Sequence, residues 1–201
     1  EENFMLSILV VATRNKNKLR EFREILKDLQ IEILSLDDFG PTPEAIEDGD
    51  TFDDNAYKKA IHTAKILGLP AIADDSGLVV EALDGAPGVY SARFAGANAT
   101  DNENCDKLLN ALQGVDNRRA YFQCVLSIAV PSGPALTYEA RCDGVIIDEK
   151  RGDNGFGYDP IFYFEELGKT FAELSSEEKH RVSHRGKALA EVKSEVTMIK
   201  K

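Results

Sequence analysis

The stretch SILVVATRNKNKLREFREILKDL, residues 7–29, joins an apolar run directly to a segment of helical periodicity. Ser7 to Thr13 is rich in Ile, Leu and Val, which predicts a buried strand. From about Asn15 to Leu29 apolar side chains recur every three or four residues, which predicts a helix. Its apolar face comprises Leu19, Phe22, Leu26 and Leu29. A strand followed at once by a helix predicts an α/β protein.

The rest of the chain continues this alternation and then changes to a hairpin. Further helices are predicted at Thr51 to Gly68, Thr100 to about Leu112, and Arg185 to Lys200. Further strands are predicted at Ile31–Leu36, Leu69–Ala73, Tyr121–Val130, Leu136–Ile147 and Ile161–Phe164. The two longest of these strands, separated by Pro131-Ser132-Gly133-Pro134, are predicted to form an antiparallel hairpin. We expect a single domain over residues 1–201, with a mixed α/β sheet, two lobes and a central cleft.

Composition limits the possible classes of function. The chain has 201 residues, a formal net charge of -11 and 43% hydrophobic residues. This composition is typical of a soluble globular protein, and the acidic balance argues against a nucleic-acid partner, which normally needs a basic face. No apolar run approaches the ~18 residues that a membrane span needs, so we expect no membrane partner.

The cysteines and the first residues bear on the compartment. Three cysteines without CxxC spacing (Cys105, Cys124 and Cys142) argue against both a disulfide framework and a zinc site. The apolar run from Ser7 to Ala12 is too short for a signal peptide. We therefore expect a cytoplasmic protein. Met5 is expected to be the natural start, with Glu1 to Phe4 added for expression.

Two adjacent carboxylates, Asp74 and Asp75, follow the apolar run Leu69–Ala73 and precede Ser76. Adjacent carboxylates repel, so a chain that places them where a strand runs into a turn usually has a cation or a proton between them. The alternative is a solvated turn that closes a buried strand. On the first interpretation, these acids are the leading candidates for chemistry.

An anion site is predicted where the first strand meets the first helix, in the segment Thr13-Arg14-Asn15-Lys16-Asn17-Lys18. Backbone N–H groups and the positive end of the helix dipole favour a phosphate there, and the side chains add donors. The glycines of a Walker P-loop are absent, and a capped basic helix is the alternative interpretation.

Carboxylates are abundant around the start of the Thr51 helix. They are Glu44, Glu47, Asp48, Asp50, Asp53 and Asp54. Most are expected to be solvated or to interact with the helix dipole. One of them could join Asp74 and Asp75 around a hard cation such as Mg2+, which takes a few carboxylates and keeps several waters.

Two later segments offer contacts for a planar ligand. Asn154-Gly155-Phe156-Gly157-Tyr158-Asp159-Pro160 places aromatic rings and an acid among glycines that let the backbone approach closely. Phe156 could stack on a base, or it could be an aromatic plug under a loop. Ser183-His184-Arg185-Gly186-Lys187 starts the last helix, where its donors could meet base-edge oxygens or phosphates, or could cap the helix.

Six motifs in this order resemble those of the inosine/xanthosine triphosphate pyrophosphatase family. They are ATRNKNK, TFDDNAYKKA, IADDSGL, APGVYSARFAG, NGFGYDPIF and SHRGKAL, and the resemblance extends from about Ile8 to Leu189. It implies an elongated mixed α/β fold with a cleft between two lobes, a homodimer and a requirement for Mg2+. It also implies hydrolysis of aberrant purine nucleoside triphosphates (ITP, dITP and XTP) to the monophosphate and pyrophosphate.

The resemblance also implies roles for individual residues. Asp75 is similar to the catalytic carboxylate that accepts a proton and binds metal, with Asp74 beside it, and Glu47 to the second metal-binding acid. Lys59 would assist at the phosphates. Substrate contacts are implied at Thr13, Arg14, Asn15, Lys16, Asn17, Lys18, Ser76, Phe156, Gly157, Tyr158, Asp159, Lys179, His184 and Arg185. The chain departs from the family pattern at Arg14 and Asn17, where glycines are common.

Base selectivity is expected to follow from the donors near the last helix. His184 and Arg185 suit the O6 acceptor of hypoxanthine or xanthine, whereas adenine would present its N6 amino group and leave donors unpaired. One alternative is the related Maf-type nucleotide pyrophosphatase, whose serine- and arginine-bearing first motif differs from Thr13 to Lys18. The other is a non-catalytic nucleotide-binding protein, which would bind without releasing pyrophosphate.

Overall fold

The computed structural model describes residues 6–199, with side chains described for residues 6–195. Its helices are α1 (Lys16–Ile25), α2 (Phe52–Leu67), α3 (Asp101–Ala111), α4 (Ser176–Val182) and α5 (His184–Ile199). Its strands are β1 (Ile8–Val11), β2 (Glu32–Ser35), β3 (Ala71–Val80), β4 (Arg119–Ala129), β5 (Leu136–Ile146), β6 (Phe162–Phe164) and β7 (Lys169–Thr170). The expected start at Met5 and the last residue of the final predicted helix, Lys200, lie outside the described residues.

These strands form one mixed sheet in the order β2-β1-β3-β4-β5-β6-β7. Strand β1 is parallel to both β2 and β3, with Val10 opposite Leu34 on one side and Ala71 on the other. Strand β6 is antiparallel to β5 and to β7. Parallel neighbours need crossover connections, which α1 and α2 supply between β1, β2 and β3. The predicted mixed α/β class, a sheet with flanking helices, is confirmed.

Local capping explains where several helices begin. Thr51 accepts a hydrogen bond from the Asp54 N–H at the start of α2, and Gly68 ends that helix in the left-handed conformation. At α3, Thr100 and Glu103 form the expected capping box. A second capping box, formed by Ser175 and Glu178, begins α4, a helix that the sequence reading did not predict.

Two predicted boundaries are wrong. Helix α1 ends at Ile25, because Leu26 already has the backbone conformation of a C-cap while its side chain stays buried. The strand predicted over Leu69–Ala73 instead runs over Ala71–Val80, so Asp74 and Asp75 lie within β3 rather than in a turn. Pairing along a buried sheet has overridden the local turn preference of Asp-Asp-Ser-Gly.

The chain divides into two compact units, and the boundary falls within β3 between Asp75 and Ser76. Of the described residues, the first unit contains 6–75, Cys124–Glu139 and 188–199, and one cluster in its core consists mostly of alanines, among them Ala60 and Ala64 of α2 and Ala71 and Ala73 of β3. The second contains Ser76–Gln123 and Ala140–Lys187, and its core is rich in Leu and Phe. Among the described residues, no helix has both the length and the hydropathy needed to cross a bilayer.

Candidate active site

In the first unit, the junction of β1 and α1 is a capped helix N-terminus. The Asn15 side chain accepts hydrogen bonds from the N–H groups of Asn17 (2.9 Å) and Lys18 (3.1 Å). Thr13 Oγ1 accepts one from the Asn15 N–H at 3.1 Å. The Lys18 ammonium donates to Asp74 Oδ1 at 2.7 Å. The motif is thus locally capped, and its last lysine is paired with one of the two adjacent carboxylates.

Arg14 contacts the segment after β2. Its guanidinium donates to Asp37 Oδ1 at 3.2 Å and to Thr42 Oγ1 at 3.1 Å. Lys16 is exposed on the first turn of α1. Arg14 therefore has a structural role in linking two segments, and the substrate contacts implied for Arg14 and Lys16 stay predictions.

Asp74 and Asp75 have different surroundings, because consecutive side chains of a strand point to opposite faces of the sheet. The Asp74 side chain is fully buried; its Oδ1 accepts from Lys18, and its Oδ2 accepts from the Cys124 thiol at 3.2 Å. Its carbonyl oxygen accepts from Lys59 Nζ at 2.7 Å. Asp74 is thus a structural anchor for two lysines.

Asp75 is the less satisfied of the two acids. Its Oδ1 lies 3.5 Å from Lys59 Nζ, and its Oδ2 is buried with no hydrogen-bond partner. Burial raises the pKa of the Asp75 carboxyl above its ordinary value, and the nearby charges of Lys59 and Lys18 oppose that rise. A raised pKa suits a carboxylate that has to take a proton.

Lys59, one turn after Asn55 on α2, connects Asp75 to the second predicted metal ligand. Its Nζ lies 3.6 Å from Glu47 Oε1 and 3.5 Å from Asp75 Oδ1. The structure thus brings Glu47 and Asp75, which are far apart in sequence, to the same ammonium group. Of the other acids in the Glu47 loop, Asp48 is paired with Lys58 at 2.6 Å.

This group of side chains fits a hard cation. The buried Oδ2 of Asp75 has no partner, and an unsatisfied buried acceptor costs about 1–3 kcal/mol. Mg2+ is commonly held by one or two carboxylates together with waters and substrate phosphates, and Glu47 and Asp75 supply such a pair. Within residues 6–195, no cluster of three or more His, Cys, Asp or Glu side chains is arranged to hold a metal.

A cavity of about 240 Å³ adjoins these residues in the first unit. Its polar lining includes Thr13, Arg14, Glu47, Lys59 and His62. Thr13 and Arg14, the first two residues of the predicted phosphate motif, therefore line one cavity with the predicted metal ligand Glu47.

In the second unit, a buried ion pair organises the glycine-rich loop. Lys179 Nζ donates to Asp159 Oδ2 at 2.7 Å, and the same oxygen accepts from the Phe156 N–H at 3.1 Å. Gly155 has a φ of +73°, and a Cβ at this position would collide with the Asp159 carboxylate. Asp159 thus fixes the loop that carries Phe156, and Gly155 permits the close approach.

Phe156 lies next to two cations. Lys179 Nζ is 4.7 Å and Arg185 Cζ 5.8 Å from the centroid of its ring. The Arg185 guanidinium also donates to Ser76 Oγ at 3.2 Å. The half-buried ring and these donors form one group, as a site for a planar, oxygen-bearing ligand requires.

His184 is buried and stacks on Phe122, with ring centroids 4.7 Å apart and an interplanar angle of 13°. Such stacking orients the imidazole. Phe122 lies on β4, and sequence reasoning missed it because an aromatic residue in a predicted strand indicates only core packing.

Gly157 and Tyr158 are engaged in structural contacts. The Gly157 N–H donates to Asp101 Oδ2 at 2.8 Å, and the buried Tyr158 hydroxyl donates to the Ser91 carbonyl at 2.7 Å. Burial raises the pKa of the Tyr158 hydroxyl, so it stays protonated. The substrate contacts implied for both residues stay predictions.

Cys124 is the other residue that sequence reasoning missed. It belongs to β4, the neighbour of β3 in the sheet, and its thiol reaches Asp74. A lone cysteine in an apolar strand carries no specific signal, because only the strand order places it beside an acid fifty residues away.

Comparisons with known proteins agree with this architecture. A model of the Ham1 family matches residues 9–195. A dITP/XTP pyrophosphatase of Desulfotalea psychrophila is 70% identical over 195 residues, which cover 97% of this chain and 87% of that protein. The solved structure of a HAM1 protein from Coxiella burnetii has a TM-score of 0.87 and 45% identity, covering 96% of this chain and 99% of that one. The structure of the Staphylococcus aureus Ham1 protein gives a TM-score of 0.86 at 42% identity, covering 95% and 98% respectively.

Proposed function

This chain belongs to the Ham1 family, and on that premise we propose that it is a nucleoside triphosphate pyrophosphatase that requires Mg2+. It hydrolyses aberrant purine nucleotides (ITP, dITP and XTP) to the nucleoside monophosphate and pyrophosphate, and so cleanses the nucleotide pool. The observation that carries this proposal is Asp75: a largely buried carboxyl of raised pKa, with one oxygen unpartnered and two lysines nearby.

The first unit supplies the phosphate chemistry. The segment Thr13 to Lys18 binds the triphosphate, and Glu47 and Asp75 would hold Mg2+. When bound, the metal neutralises charge on the phosphate oxygens. Asp75 orients a water and takes its proton as the water oxygen bonds to the α-phosphorus. The bond from that phosphorus to the bridging oxygen breaks, and pyrophosphate leaves. The ammonium groups of Lys18 and Lys59 stabilise the negative charge that develops in the transition state.

The second unit supplies base recognition. Phe156 stacks on the purine, and Lys179, His184 and Arg185 donate to its oxygens, with Ser76 and Asp159 in support. O6 of hypoxanthine or xanthine satisfies such donors, whereas the N6 amino group of adenine leaves them unpaired. Adenine nucleotides are therefore poor substrates.

We further propose that the enzyme is a cytoplasmic homodimer. Its three cysteines are free, buried thiols, which agrees with a reducing compartment. Light scattering during gel filtration measures the assembly, and a mass of one chain would contradict the dimer.

Asp75→Asn tests the activity. We expect turnover of ITP to fall by about a thousandfold or more, since the nucleophilic water loses its base and the metal loses a ligand. The matched control is Asp116→Asn, which changes an exposed aspartate of the second unit and should leave turnover unaltered. Pyrophosphate and orthophosphate are both measured for ITP, dITP, XTP, GTP, ATP and a pyrimidine panel, with Mg2+ and with EDTA.

The products distinguish the alternatives. Pyrophosphate release from ITP and XTP that depends on Mg2+ supports the proposal. Nucleotide binding without release indicates a binding protein, and a preference for pyrimidine triphosphates indicates Maf-type specificity. Full ITP hydrolysis by a folded Asp75→Asn variant would overturn the role of Asp75.

A further inference from the structure

Glu47 lies in an irregular segment, residues 40–50, so its position depends on tethers to neighbouring elements. Among the described residues, the contacts that fasten this segment include Arg14 to Thr42, His62 to the Pro43 carbonyl, Lys58 to Asp48, Asn55 to Gly49, and Lys59 to Glu47 itself. The first three involve exposed groups. Of the contacts just named, only that from Asn55 comes from a buried residue, which is 3% exposed, whereas Lys59 is partly exposed. This tether therefore has the least competition from water.

Asn55 binds both backbone groups of one residue. The Gly49 N–H donates to Asn55 Oδ1 at 2.8 Å, and Asn55 Nδ2 donates to the Gly49 carbonyl at 3.3 Å. Because Asn55 accepts one of these hydrogen bonds and donates the other, the pair fixes both the orientation of the Gly49 backbone and its distance from α2. A Cβ on Gly49 would lie 2.7 Å from Asn55 Oδ1 and 2.7 Å from the Asp54 Cβ. Only glycine permits this approach without a shift.

The same helix holds the segment and presents the lysine of the site. Asn55 and Lys59 are four residues apart on α2, and therefore lie on one face of it. Lys59 Nζ lies within 3.6 Å of both Glu47 and Asp75. We infer that Asn55 is a positioning residue: through Gly49, two residues beyond Glu47, it keeps the Glu47 carboxylate beside Lys59 and Asp75, where the two carboxylates would hold a divalent cation. This inference rests on the proposed function.

The second unit contains a matched control. Asn104 on α3 is also 3% exposed; its Oδ1 accepts from the Ala95 N–H at 2.8 Å, and its Nδ2 donates to the Ala92 carbonyl at 3.1 Å. It thus forms a similar pair of bonds, here to two residues of a segment that carries none of the proposed metal ligands. Replacement of either asparagine by alanine should have a similar effect on stability, because the bonds lost are alike.

The test compares Asn55→Ala with Asn104→Ala in the full chain. The probe is Mn2+ alone, a cation that also prefers oxygen ligands, with free ion measured by electron paramagnetic resonance. We expect Asn55→Ala to weaken Mn2+ binding by about tenfold, the lower end of what loss of an outer-shell partner costs. Asn104→Ala should leave it unchanged. In pyrophosphate release from ITP, Asn55→Ala should need about tenfold more Mg2+ for half-maximal rate.

Gly49→Ala disrupts the same contact by changing the other partner, and it provides the test if Asn55→Ala does not fold. It should weaken Mn2+ binding to a similar extent. The double variant should bind Mn2+ about as tightly as either single variant, since both changes remove the same contact. Unaltered Mn2+ and Mg2+ dependence in folded variants, or an equal shift in Asn104→Ala, overturns the inference. Wild-type protein that binds Mn2+ but releases no pyrophosphate overturns the proposed function instead, and the Mn2+ comparison still decides the role of Asn55.

Discussion

Two lysine–aspartate pairs of equal length, one partly buried and one fully buried, have different surroundings in the two units. Lys18 to Asp74 and Lys179 to Asp159 both measure 2.7 Å. Asp74 is fixed in a strand, and its second oxygen accepts from a thiol. Asp159 lies after a glycine-rich loop, and the oxygen that pairs with Lys179 also accepts from the Phe156 backbone.

The surroundings of each pair, rather than the pair itself, distinguish the two regions. A buried ion pair offsets the cost of desolvation only when further hydrogen bonds satisfy its atoms, and both pairs meet that condition. The pair in the first unit lies beside the unpartnered oxygen of Asp75, which suits phosphate and metal chemistry. In the second unit, the pair places an aromatic ring next to cations, an arrangement that suits the binding of a nucleobase.

Breaking the first pair should have the largest effect on the reaction. Lys18→Met removes a positive charge that, on the proposed mechanism, stabilises the transition state. The kcat for ITP should therefore fall by about a hundred- to thousandfold. It also leaves Asp74 buried without its cation, which costs about 3–5 kcal/mol of unfolding free energy. Steady-state pyrophosphate release and urea unfolding measure the two effects.

The control for that variant is Lys193→Met, which breaks an exposed pair with Asp28 in the same unit. It should cost at most about 1 kcal/mol and leave kcat unaltered. If folded Lys18→Met retained wild-type kcat, Lys18 would be a structural residue only.

Breaking the second pair should act on binding more than on turnover. Lys179→Met should lower the unfolding free energy by a similar amount, about 3–5 kcal/mol, since Asp159 loses its cation. The KM for ITP should rise by about ten- to hundredfold, the equivalent of one lost charge-assisted contact, with a much smaller change in kcat. Should Lys179→Met not fold, Lys179→Arg keeps the charge and still alters the geometry around Phe156.

Here the control is Lys150→Met, which breaks a more exposed pair with Asp106 in the second unit. A kcat loss in Lys179→Met as large as that in Lys18→Met, with KM unchanged, would remove the distinction between the pairs.

The smallest expected effect is a pH dependence of stability that arises from Asp75. Burial raises the pKa of Asp75, so the folded protein holds that proton to higher pH than the unfolded chain. Between the ordinary and the raised pKa the folded state binds more protons, so Asp75 makes stability fall as pH rises. In EDTA, the advantage of Asp75→Asn over wild type should therefore grow as pH rises through that window and then level off. Urea unfolding of both proteins across the acidic range measures it, and a difference that shrinks with rising pH contradicts the prediction.

Local signals in the chain predicted much of the scaffold. Asn15, Thr51 and Thr100 begin helices because each side chain satisfies a backbone N–H of the first turn. The apolar run after Ser7 became a strand for the reason the sequence suggests, the burial of its Leu and Val side chains. The same kind of signal was available at Ser175 and Glu178, where a capping box begins the unpredicted helix α4.

The sequence by itself determined most of the elements, several of their caps and the candidate residues, because these depend on neighbours within a few positions along the chain. Only the tertiary structure decided how the two adjacent aspartates differ. Pairing in the sheet extends β3 through them, and strand alternation then turns Asp74 toward Lys18 and Cys124 and leaves Asp75 near Lys59 and Glu47. Those partners come from other elements, and contacts over such distances depend on strand order and burial rather than on local sequence.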